Sequence, residues 1–337
     1  MMAYINSFAQ ISNQKPLEMD FLRNPVPCDS LVCKVVEADY KQFFAPMAAR
    51  RMGPVLKRAV AVTDTALKLA SLEKPDAIVC GTGLGCIDNT EKFLKAMIEN
   101  DEMCLQPTFF INSTHNTIAS QIASYLKCNG YNSTYSHLGI SFESALLDIL
   151  MQMELGEIRT AVAGAFDEMS QTFMALFRKV GYSSSSMGEC AVSVVLGNER
   201  TDASKCRLDD VDIIRSSSVD CVCARLRSFL KKNGLEPSGI DCIMTGRNGD
   251  ERYDGSYDAL VNEIFGEDMF QCHYKYIFGE SFTSSAYGLI TAAEMLSEGF
   301  VPQAYIYGEE RNRTKLDTIL LVNSFRSLDW SFVLLRK

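Results

Sequence analysis

The stretch YSHLGISFESALLDIL, Tyr135 to Leu150, has the parts of a catalytic elbow: a strand, a sharp turn, and a long apolar helix with a partly positive N-terminus. In many α/β enzymes such a turn presents a nucleophile. Here the turn holds Gly139, which has no side chain. His115, His137 and His273 are the whole supply of imidazole. His137 lies two residues before the turn with Cys128 and Ser141 nearby in sequence, a grouping that would suit a Ser or Cys nucleophile with a histidine base. Spacing gives no contact, so a packed or capped histidine is the preferred reading. His115, in NSTHNT, stands just ahead of a predicted helix, as an N-terminal capping neighbour or a subunit contact. GTGLG, Gly81 to Gly85, lacks both a Gly-Lys-Ser/Thr ending and the dinucleotide fingerprint, and its glycines read as tight-turn residues.

The elements that must position these residues alternate between strand and helix. DAIVCGTG, NSTYSHL, TAVAGAFDE and AVSVVLG predict short buried strands, separated by helices over Asp88 to Asn100, Asn116 to Lys127 and Ser141 to Leu155. A polar connector, Gly197 to Lys205, follows. Beyond it VDIIRSS, DCIMTG, HYKYIFG, QAYIYG, TILLVNSF and SFVLLRK predict a second strand set. YSHLGISFESALLDILMQMELG and YIFGESFTSSAYGLITAAEMLSEG both run strand, Gly-containing turn, small residues, apolar helix, Gly. That match predicts an internal duplication with halves 1–200 and 201–337 and the two turns facing one another.

With 337 residues, 47% hydrophobic and 22% charged, the chain can bury a large core. The longest apolar runs stop short of a bilayer span and the N-terminus lacks a signal-peptide pattern, so a soluble, cytoplasmic protein is expected. Twelve cysteines without paired C-x-x-C spacing predict reduced, mostly buried thiols rather than zinc or disulfides. A net charge of −9 argues against a nucleic-acid partner. The one basic cluster, RRMGPVLKR from Arg50 to Arg58, reads as a solvated helix face, with contact to an anionic partner as the second reading.

Spread over nearly the whole chain, these segments resemble a β-ketoacyl synthase. KPDAIVCGTGLGCIDNT resembles the family's strand and glycine turn, GYNSTYSHLGISFESAL its nucleophile turn and buried helix, and AVAGAFDE and MGECAVSVVLG follow in order. DCIMTGRNGDERYDGSYDALVNEIFG, KYIFGESFTSSAYGLITAAEMLSEGFVP and NSFRSLDWSFVLLRK fit the three C-terminal motif segments. The resemblance implies an α/β thiolase-like fold, two duplicated halves in five layers, αβαβα. It places Gly139 at the nucleophile position and Gly246 and Glu280 at the two histidine positions, so no catalytic group is intact. A condensing enzyme needs a thiolate at the helix N-terminus and donors that stabilise an enolate, and an ionised Glu280 would repel one. Lys275 and Asp254 match polar residues around the family's active site and Phe325 its loop phenylalanine; none is given a catalytic role. Lys275, Phe325 and His137 are candidates to line an acyl cavity.

A scaffold without its reacting groups resembles the chain-length factors that pair with true ketosynthases in polyketide and aryl-polyene pathways. The expected partner is a Cys-bearing ketosynthase, or a second copy of the chain. An acyl carrier protein would dock mainly through the partner, apart from Arg50, Arg51, Lys57 and Arg58. No cofactor or metal is implied. The short SSSS at Ser183 to Ser186 stands where longer loops often occur, which would reshape the cavity. Two alternatives remain at this stage: an acyl-binding homodimer, and an enzyme with relocated chemistry built on Cys128, Cys190 or another thiol.

Overall fold

The computed structural model describes residues 2–50, 52–182, 185–308 and 315–337. Its strands are β1 (Ala3–Ile11), β2 (Val32–Cys33), β3 (Ala77–Gly81), β4 (Tyr131–Tyr135), β5 (Thr160–Asp167), β6 (Met187–Gly188) and β7 (Cys190–Gly197) in the first half. The second half supplies β8 (Cys206–Arg215), β9 (Cys242–Thr245), β10 (Gln271–His273), β11 (Ile306–Tyr307), β12 (Thr318–Phe325) and β13 (Asp329–Arg336). Eleven of them form one sheet, ordered β11-β10-β9-β12-β13-β8-β1-β7-β5-β3-β4.

The duplication is written in the strand directions. β3 runs parallel to β4 and β5, and β7 is antiparallel to β5 and β1. In the second half β9 runs parallel to β10 and β12, and β13 is antiparallel to β12 and β8. The halves join where β1 meets β8 over Ala3, Tyr4 and Ile5.

Strand residues alternate between two buried faces, which forces a layer of helices on each. Ile78, Cys80 and Val162 pack outward against the Pro54–Leu69 and Thr117–Leu126 helices. Ile243, Leu320 and Val322 pack outward against the Val219–Lys232 and Glu251–Phe265 helices. Val79, Ala163, Met244 and Leu321 turn inward instead, onto the Ser141–Glu154 and Ser285–Glu298 helices. Those two central helices, 14 residues each, are buried on nearly every side, as helices enclosed between the two halves of the folded sheet must be. The result is five layers, αβαβα.

Several sequence expectations change. The central strand β1 was not predicted, because buried Asn6, Ser7 and Gln10 break its apolar pattern. Each polar group is matched inside, as where Ser7 Oγ donates to Ala66 O at 2.6 Å. HYKYIFG is not one strand: β10 ends at His273 and a single helical turn, Lys275–Phe278, follows. QAYIYG is a 3-10 turn, Gln303–Tyr305, before the two-residue β11. The expectation of no disulfide is corrected at Cys28 and Cys33, whose Cα atoms are brought to 5.5 Å by the turn into β2 and whose sulfurs are bonded. The basic cluster is not a solvated face throughout. Arg58 is buried, its guanidinium 2.6 Å from Glu37 and 2.9 Å from Glu189. Arg51, Ser183 and Ser184 lie outside the described residues. No helix among the described residues is long and apolar enough to cross a membrane.

Candidate functional site

The two Gly-containing turns do face one another, across the end of β12. After β4 the chain makes one 3-10 turn, Leu138–Ile140, into the Ser141–Glu154 helix. Leu138 carries the left-handed backbone, φ +48°, and Gly139 does not. What reserves position 139 for glycine is space. A Cβ there would lie 2.5 Å from Cβ and Cγ of Phe325, so the phenyl ring already fills the volume a nucleophile would need.

At Gly246 the vacancy is closed by polar groups. A Cβ there would lie 2.6 Å from Asn323 Oδ1, 2.8 Å from the Tyr257 hydroxyl and 3.1 Å from that of Tyr274. These groups belong to one network. Tyr274 donates to Asn323 Oδ1 at 3.2 Å, and the Ser324 amide donates to the Tyr257 hydroxyl at 2.7 Å. Asn323 Nδ2 donates to Gly139 O at 3.0 Å and to Glu143 Oε1 at 2.9 Å, where Ser331 Oγ also donates at 2.7 Å. Burial raises the pKa of Glu143. Through Asn323 the two glycine positions are therefore held by a single set of hydrogen bonds.

Glu280 is not a bare negative charge. Lys275 Nζ sits 2.8 Å from its Oε2 and 3.1 Å from Oε1, and Asn248 Nδ2 donates to Oε2 at 2.8 Å. The helical turn Lys275–Phe278 folds the lysine back onto the glutamate, and both side chains are largely buried, 3% and 15% exposed. The expected repulsion is thus neutralised locally. Asp254 holds the neighbouring loop by accepting from the Asn248 and Gly249 amides at 3.2 and 2.9 Å, and burial raises its pKa.

Between these groups lies a cavity of about 40 Å³, room for only a few waters. Phe325, Phe282, Tyr182, Gly246, Glu280 and Asp254 are among its walls. Phe325 packs at 5.5 Å from Phe282 and 5.8 Å from Tyr182, between ring centroids. Arg326 covers the Tyr182 ring at 4.3 Å and donates to the Tyr253 hydroxyl at 3.0 Å. Arg326 and Ser327 both hold left-handed backbone, φ +57° and +53°, without being glycine. Such a conformation persists only when its surroundings hold it.

The remaining candidates are elsewhere. His137 is exposed and does not line the cavity; its Nδ1 lies 2.9 Å from Ser144 Oγ, which itself donates to Ile140 O. That hydroxyl is committed to its own helix and is not an activated nucleophile. His115 is exposed beside Gly85, two residues ahead of the Thr117–Leu126 helix. His273 stacks on Tyr276, and burial lowers its pKa. Burial pushes the Cys190 thiol far up, and Cys128 donates to Pro75 O at 3.3 Å, so neither is poised to react.

The GTGLG amides wrap a carboxylate of the chain itself. Gly83 N and Leu84 N donate to Asp167 Oδ1 at 2.9 and 3.1 Å, Thr82 Oγ1 donates to it at 3.1 Å, and Thr283 Oγ1 donates to Oδ2 at 2.8 Å. Asp167 thus ties the first half to the second turn. Burial raises its pKa to about 6. Next to it, Glu168 accepts from the Val55 and Asp88 amides at two helix N-termini, and burial raises its pKa to about 7. Sequence reading passed over both, since an acidic pair at a strand end carries no motif.

Among solved structures, the ishigamide ketosynthase/chain length factor matches with a TM-score of 0.86 at 16% identity, over 100% of this chain and 99% of that one. A β-ketoacyl synthase from Burkholderia phymatum STM815 gives 0.83 at 16%, over 99% of each. The ketosynthase ApeO in complex with its chain length factor ApeC from Xenorhabdus doucetiae gives 0.80 at 14%, over 99% of this chain and 97% of that one. No curated protein sequence matches the chain. The N-terminal domain of the β-ketoacyl synthases matches residues 25–197, just over half of the sequence, and on that match the chain belongs to the β-ketoacyl synthase family.

Proposed function

We propose that this chain is a noncatalytic, chain-length-factor-like subunit that completes a ketosynthase dimer and shapes the cavity in which an acyl or polyene chain grows. The observation that carries the reading is the Phe325 ring in the space beside Gly139. Synthases and chain-length factors share the fold, so the fold alone does not separate them. The filled site favours the chain-length factor. Gly139, Gly246 and Glu280 stand at the positions of the family's reacting groups, and each is closed by packing, by hydroxyls or by a lysine rather than left open for substrate. Residues 1–200 and 201–337 are read as the two thiolase-like halves.

Two further features support an obligate partner. Among the described residues β4 ends the sheet with one edge unpaired, an invitation to strand addition that folded proteins rarely leave uncovered. Tyr131 and Leu138, beside that edge, are exposed apolar residues. The small size of the cavity beside Phe325 argues against an acyl-binding homodimer that stores its ligand there, and supports a growing chain held between subunits. An acyl carrier protein then docks through the Cys-bearing partner.

Co-expression with the matching ketosynthase tests this directly. A stable one-to-one complex is expected by light scattering, and the chain alone given acyl and malonyl carrier-protein thioesters should form neither an acyl enzyme nor a condensed product. A monodisperse monomer that ignores the synthase, or steady condensation by the isolated chain, overturns the reading.

A further inference from the structure

We propose that Cys28 and Cys33 form a reversible thiol–disulfide site that latches the Val26–Cys33 loop beside the small cavity. The loop grips the Lys275–Glu280 turn from both sides. At its start, the Cys28 amide donates to Tyr276 O at 3.1 Å, and Asn13 Nδ2 donates to both Val26 O and Ile277 O at 2.9 and 2.8 Å. At its end, β2 pairs with β6, and Met187 N donates to Leu31 O at 3.1 Å. β6 in turn holds Glu280, through Gly188 N to Glu280 O and Glu280 N to Ser186 O, both 2.8 Å. The disulfide joins the two ends of this clamp. Cys33 Sγ also lies 2.7 Å from where a Cβ on Gly279 would sit, so the latch is seated directly on the turn that carries Glu280.

A second cavity lies behind. About 220 Å³ in volume, it is walled by Cys33, Lys34, Arg58, Met169, Met187 and Glu189, and it shares Met169 and Met187 with the small cavity. Methionine is a deformable wall. Releasing β2 from β6 removes one side of the larger space and unloads the strand that positions Glu280.

The chemistry needs a dithiol reductant. Its thiolate attacks Sγ of Cys28, the partly exposed sulfur, while the buried Cys33 departs as thiolate. The reductant's second thiolate then attacks its own sulfur in the mixed disulfide and releases Cys28. Two electrons pass to the protein, the dithiol closes to a disulfide, and its two protons end on Cys28 and Cys33. A disulfide oxidant runs the same steps in reverse.

The test is alkylation of denatured protein after equilibration in lipoate or its dithiol form, dihydrolipoate, followed by peptide mass mapping, with amide exchange measured on both native forms. In the oxidised buffer Cys28 and Cys33 should remain linked and unlabelled while the ten other cysteines label; in the reduced buffer all twelve should label. Reduction should speed amide exchange in residues 26–33 and 276–280 by about tenfold and leave β5 and β7 unchanged. Cys28→Ser should show the fast pattern without reductant. Full labelling of both cysteines in the oxidised buffer overturns the site; unchanged exchange in reduced wild type and in Cys28→Ser overturns the latch.

Discussion

The two central helices begin at turns of one design, and the chain has closed them by different physics. Beside Gly139 the filling is an aromatic ring brought from the end of β12. At Glu280 the filling is a charge partner from within the same short segment. A ring fills space by shape and asks nothing of its neighbours beyond fit. A buried ion pair asks that both members stay. The first closure should therefore resist substitution of anything but size, while the second should fail when either charge is removed.

The sharpest way to break that contrast is at Lys275. Lys275→Met strands Glu280 as an unpaired, largely buried carboxylate, and a loss of about 3–5 kcal/mol is expected in urea unfolding. The double variant Lys275→Met, Glu280→Leu should recover most of it. If the single variant loses under about 1 kcal/mol, the pair is not holding the turn.

Gly139→Cys probes the aromatic closure. Overpacking against Phe325 should cost about 1–3 kcal/mol, and Phe325→Ala in the same chain should relieve the crowding at 139 even though it forfeits its own packing. The informative measure is the coupling energy in the double-mutant cycle, expected to be favourable by more than about 0.5 kcal/mol. Neither variant should turn over, because Gly246 and Glu280 supply no enolate donor. Adding Gly246→His and Glu280→His supplies the missing imidazoles. Turnover by Gly139→Cys alone, approaching that of a Cys-bearing ketosynthase, would show that the histidine assignments are wrong.

A pH-dependent effect lies where the halves are tied. Asp167 and Glu168 have folded pKa values of about 6 and about 7, above their ordinary 3.8 and 4.5. The folded state therefore holds more protons than the unfolded state between these limits, and stability falls as pH rises from about 4 to about 7. Thermal unfolding should shift down by roughly 5 °C between pH 5 and pH 8. Glu168→Gln should flatten that slope; an unchanged slope would remove Glu168 as its cause.

Much of this architecture was readable because the central helices announce themselves. SFESALLDIL and SAYGLITAAEML are apolar on nearly every face, and their shared surroundings point to duplication before any coordinate is known. β1 was hidden for the opposite reason: Asn6, Ser7 and Gln10 find partners that only the folded chain provides. HYKYIFG is rich in aromatic and β-branched residues, as a strand would be, and the single turn Lys275–Phe278 is too short for helical periodicity to show. The vacant positions were visible in the sequence, but not their contents. Phe325, Asn323 and Tyr257 reach Gly139 and Gly246 through pairings between distant strands and helices. Likewise, nothing in the spacing of Cys28 and Cys33 says that β2 will turn back to pair with β6.

The Asn323 network makes positions 139 and 246 interdependent. A side chain restored at 139 meets Phe325, and one restored at 246 meets Asn323, Tyr257 and Tyr274, which also hold Gly139 and Glu143 in place. Each substitution taken alone disturbs packing or strands a buried polar group, so a single change at either position lowers stability unless its neighbours across the network change with it.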